Sequence, residues 1–115
     1  MTNNKIINVK FRIWFFAGEE KLLGIGRVEL LERINTTGSI AKAAKEMKMS
    51  YRQAWQMVNE MNQRSAFPFV VKHLGGKSGG GAIVTEAGLK TIKAFNELQE
   101  KIEFYIKQEA SKIKL

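Results

Sequence analysis

A series of amide and guanidinium side chains between residues 50 and 63 recurs at helical spacing. At 100° per residue the polar members share one stripe, and it comprises Arg52, Gln56, Asn59 and Gln63, with Gln53 beside it. The apolar members, which are Ala54, Val58 and Met61, lie on the opposite side. Side chains of this kind supply the bidentate donors and acceptors that base edges and phosphates require. The stripe therefore predicts a helix that binds nucleic acid through Arg52, Gln53, Gln56 and Asn59, the alternative being a solvated helix surface.

Two aromatic residues accompany this stripe. Tyr51 belongs to the first turn of the predicted helix, where it fits a phosphate contact or a solvated position equally well. Trp55 lies at the edge of the apolar side, so packing against the core is at least as good an interpretation as contact with DNA. We include Tyr51, but not Trp55, among the predicted DNA-binding residues.

A glycine-rich segment, residues 75–81, contains Lys77 and Ser78. Gly76, Lys77 and Ser78 match the end of a phosphate-binding P-loop, but the glycine that this motif needs five residues earlier is Val71. A P-loop also opens a helix, whereas residues 82–84 favour a strand. The segment instead predicts a hairpin tip that places Lys77, and with it Ser78, against a phosphate backbone. The alternative is a hairpin end without a contact.

Three short helices, a hairpin and a long helix are predicted around these residues. Ser39 and Ser50 are good N-caps, so the second and third helices begin there. Residues 6–16 alternate between apolar and polar types, which predicts a half-buried strand. We expect one α+β, mainly helical domain over residues 1–115, a winged helix-turn-helix. Its parts are an N-terminal β-hairpin (5–24), a three-helix core (26–63), a wing (69–84) and a long C-terminal dimerisation helix (85–112).

Composition and charge restrict the function. The 115 residues include 19 Lys+Arg and 11 acidic residues, so the net charge is +8, and residues 35–84 hold +5 of it. This favours a polyanionic partner or an anionic membrane surface. We expect phosphate or other DNA contacts from Ser39, Lys42, Ser50, Lys72 and Lys77.

The residue types that are missing argue against catalysis. The chain has no Cys and no Asp, and His73 is its only histidine. A thiolate metal site and a Ser-His-Asp triad are thereby excluded, and we expect no enzyme activity, no metal and no cofactor. No apolar run suggests a signal peptide or a membrane span, so we expect a cytoplasmic protein without a membrane partner.

Several motifs together resemble the N-terminal DNA-binding domain of ModE-type molybdate-responsive transcription regulators, itself similar to the LysR-type winged helix. The motifs are Gly38 to Ala44, Met49 to Trp55, Asn59 to Asn62, Gly75 to Ala82 and Thr85 to Gly88. The resemblance covers roughly residues 22–110 and implies sequence-specific DNA binding as a dimer. Full-length family members sense molybdate through C-terminal domains, which this sequence lacks as far as Leu115. The resemblance therefore does not imply an effector ligand within this chain.

The predicted last helix is longer than so small a domain can cover. Its apolar stripe fits a homodimer interface or a core alone, and we expect the interface to include Phe95, Leu98, Ile102, Tyr105 and Ile106. The predicted function is a prokaryotic transcription regulator that binds double-stranded DNA. The alternatives are an adaptor that keeps the fold and binds a protein through its apolar hairpin, and a protein that binds a small oxyanion such as molybdate through the glycine tip.

Overall fold

The computed structural model of the chain describes residues 7–73 and 81–114. The elements in order are β1 (Phe15–Ala17), β2 (Glu20–Leu23), α1 (Ile25–Thr37), α2 (Ile40–Glu46), α3 (Tyr51–Arg64), β3 (Val70–His73), β4 (Gly81–Val84) and α4 (Glu86–Ala110). β1 pairs with β2 and β3 with β4, both antiparallel, as two separate sheets. Three helices, a hairpin and a long helix form a winged helix, so the predicted α+β, mainly helical fold class is confirmed.

The core lies where α1, α2 and α3 meet the two hairpins and the start of α4. The apolar side of α3 is buried as its spacing predicted, with Ala54 and Met61 fully inaccessible to solvent. α2 contributes Ala43 and Ala44, whose small side chains let α3 approach α2 closely. Burial of one side of α3 leaves its polar stripe facing outward.

Hydroxyl side chains begin three of the helices. The Oγ atom of Ser39 accepts from the backbone N–H of Lys42, and that of Ser50 accepts from Gln53. Thr85 caps α4 in the same way, since its Oγ1 accepts from Gly88. These bonds satisfy backbone donors that have no partner within the helix. The two predicted N-caps, Ser39 and Ser50, are confirmed.

The prediction of a strand over residues 6–16 is wrong for most of its length. Regular strand structure is confined to Phe15–Ala17, and residues 7–14 form an extended arm without a paired neighbour among the described residues. The alternation itself is present, because Phe11 and Ile13 are half-buried while Arg12 and Trp14 are more exposed. Apolar alternation selects the buried side of a segment, but a strand also needs a second strand to bond with.

α4 protrudes from the domain. Its buried residues are Gly88, Ile92 and Phe95, and none after Phe95 is buried in this fully described helix. The radius of gyration is 18.0 Å, against about 13–14 Å for a compact chain of this size. Among the described residues, no helix carries an apolar stretch long enough to cross a membrane.

The predicted place of Phe95 in a dimer interface is wrong. Its side chain is fully buried, and its ring lies 5.2 Å, centroid to centroid, from the ring of Phe15. Aromatic rings at this separation and tilt pack favourably. Phe95 therefore holds α4 against the N-terminal hairpin of its own chain. The helical spacing alone does not distinguish this contact from a contact with a second chain.

Gly88 allows α4 to pack against the wing, and we expect Gly88→Ala to lower the free energy of unfolding by about 1–3 kcal/mol. A Cβ atom there would lie 2.6 Å from the carbonyl oxygen of Phe69 and 2.7 Å from Cγ1 of Val84. The Phe69 carbonyl cannot move away freely, because it accepts from the Thr85 N–H at 2.8 Å.

Chemical denaturation at one protein concentration measures this effect, with Gly26→Ala as the matched control. Gly26 is also helical, but a Cβ atom there meets nothing within 4 Å. Its replacement should leave stability unchanged or raise it by up to about 1 kcal/mol, because alanine favours helices. Equal stability of the two variants would contradict the close approach at Gly88.

Candidate nucleic-acid interface

The polar stripe of α3 faces solvent. Arg52, Gln53 and Gln56 are exposed, and Asn59 is half-buried further along the helix. Tyr51 and Trp55, one turn apart on the flank of the stripe, are 53% and 43% exposed. The orientation predicted from helical spacing is confirmed, and Trp55 is less buried than a core position would be. Contact of these side chains with DNA stays a prediction.

The first turn of α3 presents free backbone donors beside this stripe. The Ser50 hydroxyl occupies the N–H of Gln53, and the Ser50 carbonyl accepts from Ala54. The N–H groups of Tyr51 and Arg52 have no acceptor among the described residues. Free N–H groups at the start of a helix attract anions. The first turn of α3 therefore offers a phosphate two kinds of donor, the guanidinium of Arg52 and the free backbone N–H groups.

The turn between α2 and α3 carries a lysine where glycine is the common residue. Lys48 has φ 57°, and its N–H donates to the carbonyl of Lys45 while Met49 donates to that of Ala44. This bonding pattern is the Schellman motif, in which the left-handed residue is usually glycine. A non-glycine residue there costs roughly 1 kcal/mol. The lysine places one more exposed charge on the turn that leads into α3.

Five exposed basic side chains lie on α2, on the turn after it, at the start of α3 and on β3. Lys42, Lys45, Lys48, Arg52 and Lys72 are all exposed, and none forms an ion pair with another described residue. Sequence reasoning singled out Lys42, Arg52 and Lys72 but not Lys45 or Lys48. Lys45 and Lys48 belong to no periodic stripe, so the excess of positive charge over residues 35–84 was the one feature of the sequence that could have indicated them.

Three of the four glutamates between residues 26 and 63 pair with arginines. Arg33 of α1 donates to Glu29 at 2.9 Å and to Glu46 of α2 at 3.0 Å. The bonds to Glu46 and then Glu29 raise the pKa of Arg33 above its ordinary value. Arg27 pairs with Glu60. These pairs leave Lys42, Lys45, Lys48 and Arg52, on α2, the turn after it and α3, without an acidic partner among the described residues.

The end of α3 is fastened to the N-terminal hairpin and the wing. Arg64 donates to the carbonyl of Lys21 at 2.8 Å and pairs with Glu20 at 3.1 Å, which joins α3 to β2. Asn62 bonds to the backbone of Phe69 and Val70 at the start of β3. These contacts fix the direction of the exposed stripe. In the sequence, Asn62 stands within one of the family motifs, and its position there predicts no role of its own.

The wing stands beside α3. β3 and β4 pair in register from Val70 opposite Val84 to His73 opposite Gly81, and Lys72 on β3 is exposed. The N–H of Ala82 donates to the carbonyl of Gly38 at 2.9 Å, which joins β4 to the turn before α2. The predicted contacts of Lys77 and Ser78 lie outside the described residues. Ser39, also predicted to bind DNA, is half-buried and acts as the cap of α2.

The far half of α4 has two different flanks. Leu98 and Tyr105 are 41% and 62% exposed, and Ile102 between them is half-buried. Ile106 instead lines an open groove of about 860 Å³ between α4 and the arm, together with Phe11, Ile13 and Trp14. The predicted dimer residues therefore divide into the uncovered stripe, Leu98, Ile102 and Tyr105, and Ile106 on the groove side.

The described residues bring together no three His, Cys, Asp or Glu side chains that could hold a metal ion. His73 is exposed on the wing, next to Lys72. Exposed amide and guanidinium groups on one side of α3, together with basic side chains that form no ion pair among the described residues, are chemically suited to an extended anion.

The chain is similar in sequence to several curated proteins over part of their length. No protein-family model matches the chain. It is 47% identical over 77 residues to the molybdenum-pterin-binding protein MopB of Rhodobacter capsulatus, a match that covers 67% of this chain and 28% of the relative. It is 42% identical over 74 residues to the DNA-binding transcriptional dual regulator ModE of Escherichia coli K12, over 64% of this chain and 28% of the relative.

A third relative, the transcriptional regulator ModE of Haemophilus influenzae, is 38% identical over 87 residues, which is 74% of this chain and 34% of the relative. The chain thus spans only about a third or less of the length of the curated relatives it matches. Within that span, the resemblance that the motifs predicted is confirmed: over about two thirds of its length, this chain is related to the ModE-type regulators.

Proposed function

We propose that this chain is a non-enzymatic transcription regulator that binds double-stranded DNA as a homodimer. The recognition helix, α3, enters the major groove, and the wing formed by β3 and β4 lies on the adjacent backbone or minor groove. The observation that carries the proposal is the outward polar stripe of α3. Exposed basic side chains on α2, the turn after it and β3, which pair with no acid among the described residues, add to it. The regulator names of the relatives support it independently.

The contacts divide by chemistry. Arg52, Gln53, Gln56 and Asn59 have groups that can bond to base edges, and they determine sequence preference. Lys42, Lys45, Lys48 and Lys72 neutralise phosphates and supply affinity without preference. Tyr51, Ser50 and the free N–H groups of α3 add phosphate contacts. Lys77 and Ser78 of the glycine tip belong to this second group in the proposal.

The homodimer rests on the uncovered stripe of α4. A 25-residue helix whose buried residues end at Phe95 exposes large apolar side chains over its second half. Exposed apolar patches of this kind mark interaction surfaces. A second copy of the same stripe, related by a two-fold axis, covers it and sets two recognition helices at a fixed spacing.

Selection of bound fragments from randomised DNA tests the function. We expect a palindrome with half-sites one helical turn or more apart, because each protomer presents one recognition helix. An adaptor would show only weak binding without sequence preference. The oxyanion alternative, which the name of one relative as a molybdenum-pterin-binding protein brings in, is tested by calorimetry with molybdate, and with sulfate as the comparison anion. Binding of molybdate and not of DNA would support it.

Salt dependence gives a quantitative prediction. If Lys42, Lys45, Lys48, Lys72 and Lys77 of each protomer each neutralise one phosphate, the ten contacts give a slope of about −9 for log K against log salt concentration, at about 0.9 per contact. Fluorescence anisotropy on a selected duplex between low and physiological salt measures this slope. A slope shallower than about −2 would contradict the phosphate role of the lysines.

A further inference from the structure

The wing is held at both outer edges by the helix-turn-helix unit. At the β4 edge, the N–H of Ala82 donates to the carbonyl of Gly38 at 2.9 Å. At the β3 edge, the side chain of Asn62 makes three bonds to backbone. Its Oδ1 accepts from Phe69 at 2.8 Å and Val70 at 3.2 Å, and its Nδ2 donates to the Val70 carbonyl at 2.8 Å. The recognition helix thus contacts the wing through one side-chain amide.

The Asn62 amide occupies the place of a third strand. The N–H of Thr85 donates to the carbonyl of Phe69 at 2.8 Å, which is one of the two bonds of a hydrogen-bonded antiparallel pair. The N–H of Phe69 donates to Asn62 Oδ1 in place of the second bond. The next pair, Val70 opposite Val84, is then a non-hydrogen-bonded pair, in which the backbone groups of Val70 point away from β4. Both of these outward groups of Val70 are satisfied by Asn62, as a neighbouring peptide group would satisfy them.

Other polar contacts of α3 lead away from the wing. Glu60 bonds to Arg27 of α1, and Arg64 bonds to the N-terminal hairpin. These contacts hold the helix on the core but do not determine where β3 begins. Asn62 is half-buried, lies on the helix between these two residues, and is the described side chain of α3 that bonds to the wing backbone.

We propose that Asn62 is a positioning residue that sets the wing against the recognition helix, so that Lys72 reaches the DNA backbone while the stripe of α3 lies in the groove. The proposal rests on the proposed DNA-binding function. Asn62 itself contacts no DNA; it acts through the strand that it fastens. A carboxamide of this length is required, because aspartate lacks the donor and glutamine adds a methylene.

A double-mutant cycle in the full chain tests this coupling. Binding to a fluorescein-labelled duplex selected from randomised DNA is measured by anisotropy for Asn62→Ala, Lys72→Ala and the double variant. We expect Lys72→Ala alone to weaken binding by about threefold to tenfold and Asn62→Ala by about fivefold to thirtyfold. The double variant should bind as Asn62→Ala does, within about twofold, because Lys72 is no longer in place.

A second cycle separates positioning from general damage to the fold. Arg52→Ala should weaken DNA binding by the same factor in the Asn62→Ala background as in the native chain, because α3 stays packed on the core in both. If Asn62→Ala does not fold, Asn62→Asp replaces it in the cycle, because aspartate retains the acceptor oxygen but loses the donor. Its coupling with Lys72→Ala in DNA affinity should lie between that of the native chain and that expected for Asn62→Ala. Asn96→Ala is the matched control, because that amide donates to Glu32 at 3.2 Å, between α4 and α1; its affinity should equal that of the native chain.

The outcomes are distinct. Three results would each overturn the positioning role and leave the DNA-binding function standing. The first is an equal loss of affinity from Lys72→Ala in the native and Asn62→Ala backgrounds. The others are an unchanged affinity of Asn62→Ala and an unchanged affinity of Lys72→Ala in the native chain. Absence of binding by the native chain would instead overturn the proposed function, and this proposal with it.

Discussion

Arg52→Ala is expected to weaken binding to the preferred DNA sequence by roughly 5- to 150-fold, which corresponds to about 1–3 kcal/mol. Arg52 is exposed in the first turn of α3 and has no ion-pair partner among the described residues. A guanidinium in this position can bond bidentately to a guanine edge. Its removal should also relax sequence preference at one base pair in each half-site.

Arg33→Ala is the matched control for this variant. It removes the same charge and the same side chain from α1, where Arg33 is bonded to Glu29 and Glu46. Its DNA affinity should change by less than about threefold, because an exposed ion pair contributes little. If Arg52→Ala weakened binding to random and selected duplexes by the same factor, Arg52 would contact phosphate and would not determine specificity.

The second large effect concerns the dimer. The variant with both Leu98→Glu and Tyr105→Glu should be monomeric, because two carboxylates replace apolar groups on the uncovered stripe of α4. Its affinity for a palindromic site should fall by about 100-fold or more, since the two half-sites are then bound independently. Sedimentation measures the mass and anisotropy the affinity. Substitution is preferable to truncation because Ile92 and Phe95 belong to the core.

Phe104→Glu provides the control on the same helix. Phe104 is 65% exposed, close to the 62% of Tyr105, but lies well away from the stripe of Leu98, Ile102 and Tyr105 at 100° per residue. This variant should remain a dimer. A monomeric Phe104→Glu, or a double variant that remains dimeric, would show that another surface joins the protomers.

Helical spacing and capping predicted α3 and its orientation well. Ser50 begins it, and Ala54, Val58 and Met61 are buried while the amide and guanidinium groups face solvent. These features follow from local chemistry, since the cap and the apolar side are both encoded within fourteen residues of chain. The same reasoning gave the fold class, because the order of the elements determines a winged helix.

Features that depend on distant partners were not predicted. The arm at residues 7–14 has the alternation of a strand but pairs with no other described part of the chain. Phe95 has the spacing of an interface residue but packs against Phe15. Asn62 bonds to β3 only because the chain returns beside α3. Lys48 adopts a left-handed conformation that the residue type itself disfavours. Each of these conformations and contacts depends on residues distant in the sequence, and helical or strand spacing does not show which distant residues meet.

The central claim is that the outward stripe of α3 is the surface that meets DNA. Titration of the isotope-labelled protein with a selected duplex, followed through backbone and side-chain NMR shifts, tests it most directly. The largest changes are predicted at Arg52, Gln56 and Asn59 and at the backbone N–H groups of Tyr51 and Arg52, with smaller changes around Lys72. Changes confined to the arm and the far half of α4, with α3 unaffected, would contradict the claim.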